Sequence, residues 1–352
     1  MKPYFSVGRT LMLAAMTLST LLTDGNPQST VTVDPVPVPL SSVYAAVTAT
    51  AVAPQASSGF RFTVMSDIHV QKWSKPSQER FRQAMLDAER TMPDSAALIF
   101  NGDSNNGLPE DYEVLGDLMK QLPQPDEVYY AIGNHEFYKA WLNSRGQWAD
   151  ASFPNGETPE ASIDRFLQFT GNPGVYYDKW IEGYHFLFLG SETYRQADPS
   201  VGESAWLSDG QLQWLENTIS LQAEEGKPIF VFLHQPLPFT VAGSSIPLNS
   251  SAVIQHERLK EILSGYPQAF LFTGHSHWEL SLPDTVVRQG FTMVNTSSVQ
   301  EPYNNQDVPY KPEALKSEGL FVEVEDDGTV RIRGRNFAQE EWIPGADYRI
   351  VP

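Results

Sequence analysis

The 352-residue chain has no cysteine. That absence excludes a disulfide framework, a zinc-thiolate site and a thiol nucleophile, and it leaves the redox compartment open. Positive charge is scarce: 24 Lys and Arg stand against 43 Asp and Glu, for a formal net charge of -19. Binding to long nucleic acid is driven by Lys and Arg neutralising phosphates, so DNA or RNA is not expected as the main substrate. Long apolar runs are also few. The one near the start, Leu11 to Leu22, is shorter than the roughly 20 residues a spanning helix needs. With Lys2 and Arg9 ahead of it, residues 1–22 read as an export signal, and the protein is expected to be secreted or held at the cell surface. Ala51-Val52-Ala53 has the pattern of a cleavage site but lies far downstream, so an uncleaved signal anchor is the alternative. Membrane contact is expected only in that case.

What remains is ample for a core. A hydrophobic content of 41% with 12% aromatics, over this length, suits one large or two medium domains. Residues 23–58 are rich in Ser, Thr, Val, Ala and Pro, carry only Asp24 and Asp34 as charges, and read as a flexible tether. From residue 59 the pattern alternates. Strands are expected at 61–66, 96–100 and 128–132, with amphipathic helices at 78–90 and 112–122 between them. A helix at 159–169 ends at Gly171, and strands at 175–181 and 184–189 flank a Glu182-Gly183 turn. Ser208 and Gln211 make a capping box for a helix at 211–223. A strand at 228–233, a helix at 252–263, a strand at 269–273 and a hairpin over 319–336 complete a domain of 59–337, leaving 338–352 as a tail. Alternation of this kind predicts an α/β fold with mostly parallel sheet, whose ligands gather beyond the carboxyl ends of the strands.

Five apolar strands end in residues that bind metals. The first gives Asp67-Ile68-His69, the second Gly102-Asp103, the third Gly133-Asn134-His135-Glu136, a later one His234-Gln235-Pro236 and the last Gly274-His275-Ser276-His277. Asp67, His69, Asp103, Asn134, His234, His275 and His277 offer seven oxygen and nitrogen donors. Seven are too many for one four-coordinate zinc and suit two transition ions, manganese, iron or zinc, divalent or mixed in valence. Asp103 is the natural bridge, since a carboxylate has two oxygens. Two carboxylates against two such ions leave a local positive well, which points to a small anion, most simply a phosphoester.

The ordered set Asp-x-His, Gly-Asp, Gly-Asn-His-Glu, lone His and Gly-His-x-His resembles the calcineurin-like metallophosphoesterase superfamily, over about 59–337. The stretch from Gly202 to Leu215 is similar to a helix start that many members carry. The resemblance implies a four-layer α/β/β/α sandwich of two mixed sheets. It further implies Asp67, His69, Asp103 and His277 on one ion, and Asp103, Asn134, His234 and His275 on the other. His135 would stand off the metals and contact phosphate or the leaving group. The expected chemistry is attack on phosphorus by a hydroxide bridging ions about 3.5 to 4 Å apart.

Where many relatives carry an Asp that pairs with the Gly-Asn-His histidine, this chain has Asn106, an amide that fixes the imidazole without supporting an imidazolium. Arg145, in the aromatic loop between Phe137 and Phe153, is a candidate phosphate contact. A Tyr after Gly-Asp and a glycine at position 69 would mark purple acid phosphatases, and an Asp-Arg-Gly the protein Ser/Thr phosphatases; none is present. The added domain of exported 5'-nucleotidases is not expected. The Gly-His-Ser-His form is most similar to the phosphodiesterase branch. The expected protein is therefore an exported phosphoesterase with diesters preferred over monoesters. A non-catalytic surface scaffold on the same fold, or a phosphomonoesterase, is the alternative.

Overall fold

The computed structural model describes residues 59–245, 252–311 and 314–352; the expected signal segment and tether lie outside the described residues. Among the described residues no helix is long and apolar enough to cross a membrane.

Two six-stranded sheets carry the architecture. In the first, β1 (Phe60–Met65), β2 (Ala97–Asn101) and β3 (Val128–Ala131) run parallel. In the second, the parallel set is β5 (Tyr184–Phe188), β6 (Ile229–Phe232), β7 (Ala269–Thr273) and β9 (Phe291–Asn295). Antiparallel edges complete both. β4 (Tyr177–Ile181) pairs with β5, β8 (Val286–Gln289) with β9, and β10 (Glu318–Val324) joins β1 to β11 (Val330–Asn336) and β12 (Glu341–Ile350).

The strands read as unbroken apolar runs because both faces are covered. In β6, Phe230 and Phe232 enter the core between the sheets, while Ile229 and Val231 enter a second core under helices α4 (Asp209–Ile219) and α5 (His256–Ser264). In β2, Ala97 and Ile99 face inward, and Leu98 and Phe100 face α1 (Lys75–Thr91), α2 (Pro109–Gln121) and α3 (Pro159–Thr170). Strand periodicity of two thus distributes each strand between layers, giving helices, sheet, sheet, helices. The inner core is aromatic: Phe62 lies 4.8 Å from Phe230 and 5.0 Å from Phe186, both edge to face.

Three local expectations shift. Helix α5 starts at His256 rather than 252, because the preceding backbone is spent on pairing: Ala252 C=O accepts from Ala205 N–H and Val253 N–H donates to Pro236 C=O. The capping box is not reciprocal. Ser208 accepts from Gln211 N–H, but the Gln211 side chain turns to Gly190 N–H and C=O, and Glu192 takes the Ser208 N–H instead. The stretch 338–352, expected as a tail, supplies β12, since Ile343, Ala346, Tyr348 and Ile350 bury alternate side chains on the inner core. The β8–β9 pair, turned at Gly290, was not anticipated by periodicity.

Phe62 is fully buried among five phenylalanine rings. Phe62→Ala should cost about 3 to 5 kcal/mol of stability and Phe62→Leu less than about 1.5. Urea unfolding monitored by circular dichroism measures both.

Candidate metal centre

The five motif loops meet at one edge of the two sheets. Backbone pairing runs on past the strands to hold them: Asp67 N–H donates to Gly102 C=O at 3.1 Å, His69 N–H to Asp103 C=O at 3.0 Å and Gly274 N–H to His234 C=O at 2.8 Å. Asp67, His69, Asp103, His275 and His277 all have left-handed backbone, φ between 43° and 66°. For non-glycine residues that conformation is strained, and it persists where surrounding structure over-determines it. Glycines give the loops room to touch. A Cβ at Gly274 would fall on Ser66 Oγ and 2.6 Å from Asp67 Oδ2, and one at Gly133 would fall on Asp103 Oδ1.

Each acid presents one oxygen inward. Asp67 Oδ2 accepts from Ser66 Oγ at 2.6 Å and from His275 N–H at 3.1 Å, which leaves Oδ1 facing the centre. Asp103 Oδ1 accepts the His135 N–H at 2.9 Å, and Oδ2 lies 3.2 Å from His234 Nε2 and 3.9 Å from His69 Nε2. Asp103 is the one residue common to both sets of donors, as a bridging carboxylate would be. Two imidazoles are turned by their outer nitrogens. His234 Nδ1 donates to Asn101 C=O at 2.8 Å and His277 Nδ1 to Glu301 C=O at 2.9 Å, so that both Nε2 atoms point inward. His69 and His277 bring their Nε2 atoms within 3.2 Å, and His275 Nδ1 approaches Asn134 Oδ1 at 2.9 Å. Two donor groups result, Asp67 with His69, Asp103 and His277, and Asp103 with His234 and His275, each with its ligand atoms within 4.8 Å of one another. Asn134 adjoins the second.

These residues fit a pair of cations. Asp67 Oδ1 is 2.8 Å from His277 Nε2, and His234 Nε2 is 3.2 Å from Asp103 Oδ2, yet Asp67 Oδ1 and His234 Nε2 have no aligned hydrogen-bond partner. Buried polar atoms are rarely left so, and atoms aimed past one another at a common point are what coordination requires. Burial pushes both carboxyls up, but facing imidazoles outweigh it: His277 and His234 hold Asp67 at about 2, and His234 and His135 hold Asp103 well below the usual range. Burial pulls His234 down, and Asp103 and Asp67 lift it to about 10. Burial and neighbouring imidazolium charge leave His69 and His275 near 4.

His135 sits just outside this cluster. Its Nε2 is 3.7 Å from Asp103 Oδ2, its Nδ1 is 2.9 Å from Asn106 Oδ1, and its ring stacks on Tyr138 at 3.7 Å. Burial, with His69 and His277 adding to it, drives its pKa well below that of free imidazole. Glu136 is fully buried and accepts the N–H groups of Ser104 and Gly133, each at 2.7 Å, and of Asp103 at 3.2 Å, so it orders the loops rather than facing the centre. Arg145 is exposed on a turn where its own N–H donates to Asn143 Oδ1. The guanidinium linked to the centre is that of Arg195, 2.7 Å from Glu203.

A model of the calcineurin-like phosphoesterase family matches residues 60–279. This chain belongs to that family. No curated protein sequence matches it. Among solved structures it is similar to a dimetal phosphatase from Danio rerio, at 14% identity over 83% of this chain and 98% of that one, with a TM-score of 0.57. It is also similar to the purple acid phosphatase PPD1 from yellow lupin seeds, at 11% identity over 85% and 55% of the two chains, with a TM-score of 0.58. At these identities the likeness is one of fold. The calcineurin-like phosphoesterase fold uses a dinuclear metal site, and an Asp/His cluster that could hold metal ions lies at the strand ends here.

In this phosphoesterase one residue escaped the motif reading. Glu203 accepts from Asn134 Nδ2 at 3.0 Å, from Tyr138 Oη at 3.2 Å and from Tyr194 Oη at 2.8 Å, and so fixes which end of the Asn134 amide faces His275. It lies 69 residues from Asn134 in the chain, inside the Gly202 to Leu215 stretch, and nothing in its local sequence marks it.

Two outcomes follow from this geometry. Glu203→Ala should weaken binding of one of two manganese equivalents by roughly 10- to 100-fold and leave the other unchanged, with Glu203→Gln partly restoring it, as read by titration calorimetry. Because His234 is held protonated up to about pH 10 without metal, its stabilising charge pairing is present at neutral pH and is given up as the imidazole becomes a ligand. Metal loading near pH 7 should release protons and tighten as pH rises; buffers of different ionisation enthalpy reveal the release in the same calorimeter.

Proposed function

We propose that this protein is an exported phosphoesterase that hydrolyses small phosphodiesters ahead of monoesters. The observation that carries the reading is the inward oxygen of Asp103, common to two donor groups in which Asp67 Oδ1 and His234 Nε2 lack aligned partners within the protein. Asp67, His69, Asp103 and His277 would hold one ion, and Asp103, Asn134, His234 and His275 the other. When bound, the two transition ions, manganese, iron or zinc, supply Lewis acidity to phosphate oxygens and acidify a water.

The chain's own residues then orient the ester. Asn106 meets His135 Nδ1 with an amide, which can accept or donate but carries no charge, so either neutral tautomer is held and an imidazolium is not supported. With its pKa far below neutrality, His135 acts as a neutral group that positions phosphate through Nε2 rather than as a proton donor to the leaving alcohol. The diester preference is supported by charge. Arg195, whose guanidinium would suit the second negative charge of a monoester, is already paired with Glu203. Export is supported by residues 1–22, with their two cations ahead of a short apolar run.

Assays with bis(p-nitrophenyl) phosphate and p-nitrophenyl phosphate, in manganese and then in zinc, test this. A higher kcat/KM for the diester is expected. Silence on both esters in every metal would overturn the enzyme reading in favour of a scaffold. Asn106→Asp should raise turnover for esters with poor leaving groups and leave good ones unchanged; equal effects on both would count against a neutral His135.

A further inference from the structure

We propose that the surface formed by Tyr138 and Trp148, beside His135, binds a planar aromatic group of the substrate, so that the natural phosphoester carries a nucleobase or an aryl group. This deepens the phosphoesterase reading and rests on it for the identity of the reacting group.

The aromatic loop after β3 divides its rings between two tasks. Phe137 is fully buried and stacks on Tyr194 at 5.3 Å in the core, and Trp141, half-buried, packs on Phe153 at 4.2 Å. Tyr138 instead lies 3.7 Å from His135 with ring planes 24° apart, its hydroxyl fixed to Glu203, and so forms a wall of the centre. Trp148 stands edge-on to Tyr138 at 6.1 Å and stacks on Trp141 at 5.1 Å with planes 8° apart, yet it remains 57% exposed.

That exposure is built rather than incidental. Residues 142–148 form a small hairpin closed by a Leu142–Trp148 bridge and by Ala149 N–H donating to Trp141 C=O at 2.8 Å. Asn143 Oδ1 accepts the N–H groups of Arg145 and Gln147 across the turn, and Asn155 Nδ2 braces the base on Ala140 and Ala149 C=O. The loop therefore holds a large indole in water, in one orientation, close to the ring proposed to position phosphate. Exposed aromatics cost hydration free energy and mark binding surfaces, and a rigid aromatic loses little entropy on contact. With one face of the indole stacked on Trp141, the exposed remainder can receive a planar ring, and the Arg195 guanidinium lies 5.2 Å from the Trp141 ring behind it.

The test uses the full manganese-loaded chain and matched ligand pairs: adenosine 5'-monophosphate against ribose 5-phosphate, and phenyl phosphate against ethyl phosphate. Titration calorimetry reads affinity without turnover. The aromatic member of at least one pair should bind on the order of tenfold more tightly, in line with base stacking on aromatic side chains. Trp148→Ala should abolish that difference while leaving ribose 5-phosphate and ethyl phosphate unchanged, and Trp148→Phe should retain most of it. A gain in the nucleotide pair alone identifies a nucleobase; a gain in both shows that any aryl group suffices. Equal affinities within both pairs, or a difference that survives Trp148→Ala, would overturn the proposal. If bis(p-nitrophenyl) phosphate is hydrolysed while the pairs bind equally, only this inference fails. If the pairs differ but no ester is hydrolysed, only the phosphoesterase reading fails.

Discussion

Two ionised carboxylates buried at the edge of two sheets are the constraint around which this protein is arranged. Asp67 and Asp103 are at most 1% exposed, and an isolated buried carboxylate costs far more than a domain's net stability can bear. Each is kept charged by one oxygen saturated with local donors and one facing imidazoles. The loops, the five left-handed ligand residues and the close glycines all serve that placement. The strain they store is carried by a core of interlocked phenylalanines that leaves the strand ends no freedom to relax.

Much of this was legible in the sequence, for a definite reason. Parallel strands covered on both faces read as unbroken apolar runs, and the abrupt polar residues that end them locate the loops, so all seven donors expected from the motifs do converge. Glu203 was not legible. Its role comes from a contact across 69 residues, and a lone Glu before a helix start looks like any solvated carboxylate.

The fold showed the same division. Periodicity gave strands and helices to within a few residues, but tertiary pairing set the ends. Val253 was drawn from a helix into a bridge with Ala205, and the alternation from Ile343 to Ile350 went unread because the charged and polar residues between its apolar positions resemble a tail. Gln211 fits a capping box by spacing, yet a buried backbone at Gly190 needed its amide more than the helix did. Local rules fail where a distant unsatisfied group competes for the same side chain.

Neither donor group is drawn from one sheet alone. Asp67, His69, Asp103 and Asn134 follow strands of the first sheet, and His234, His275 and His277 follow strands of the second, so each pocket is half-built by either half of the sandwich. A cation seated there would tie the two sheets together at their open edge, so that residues placed for chemistry would also brace the sandwich.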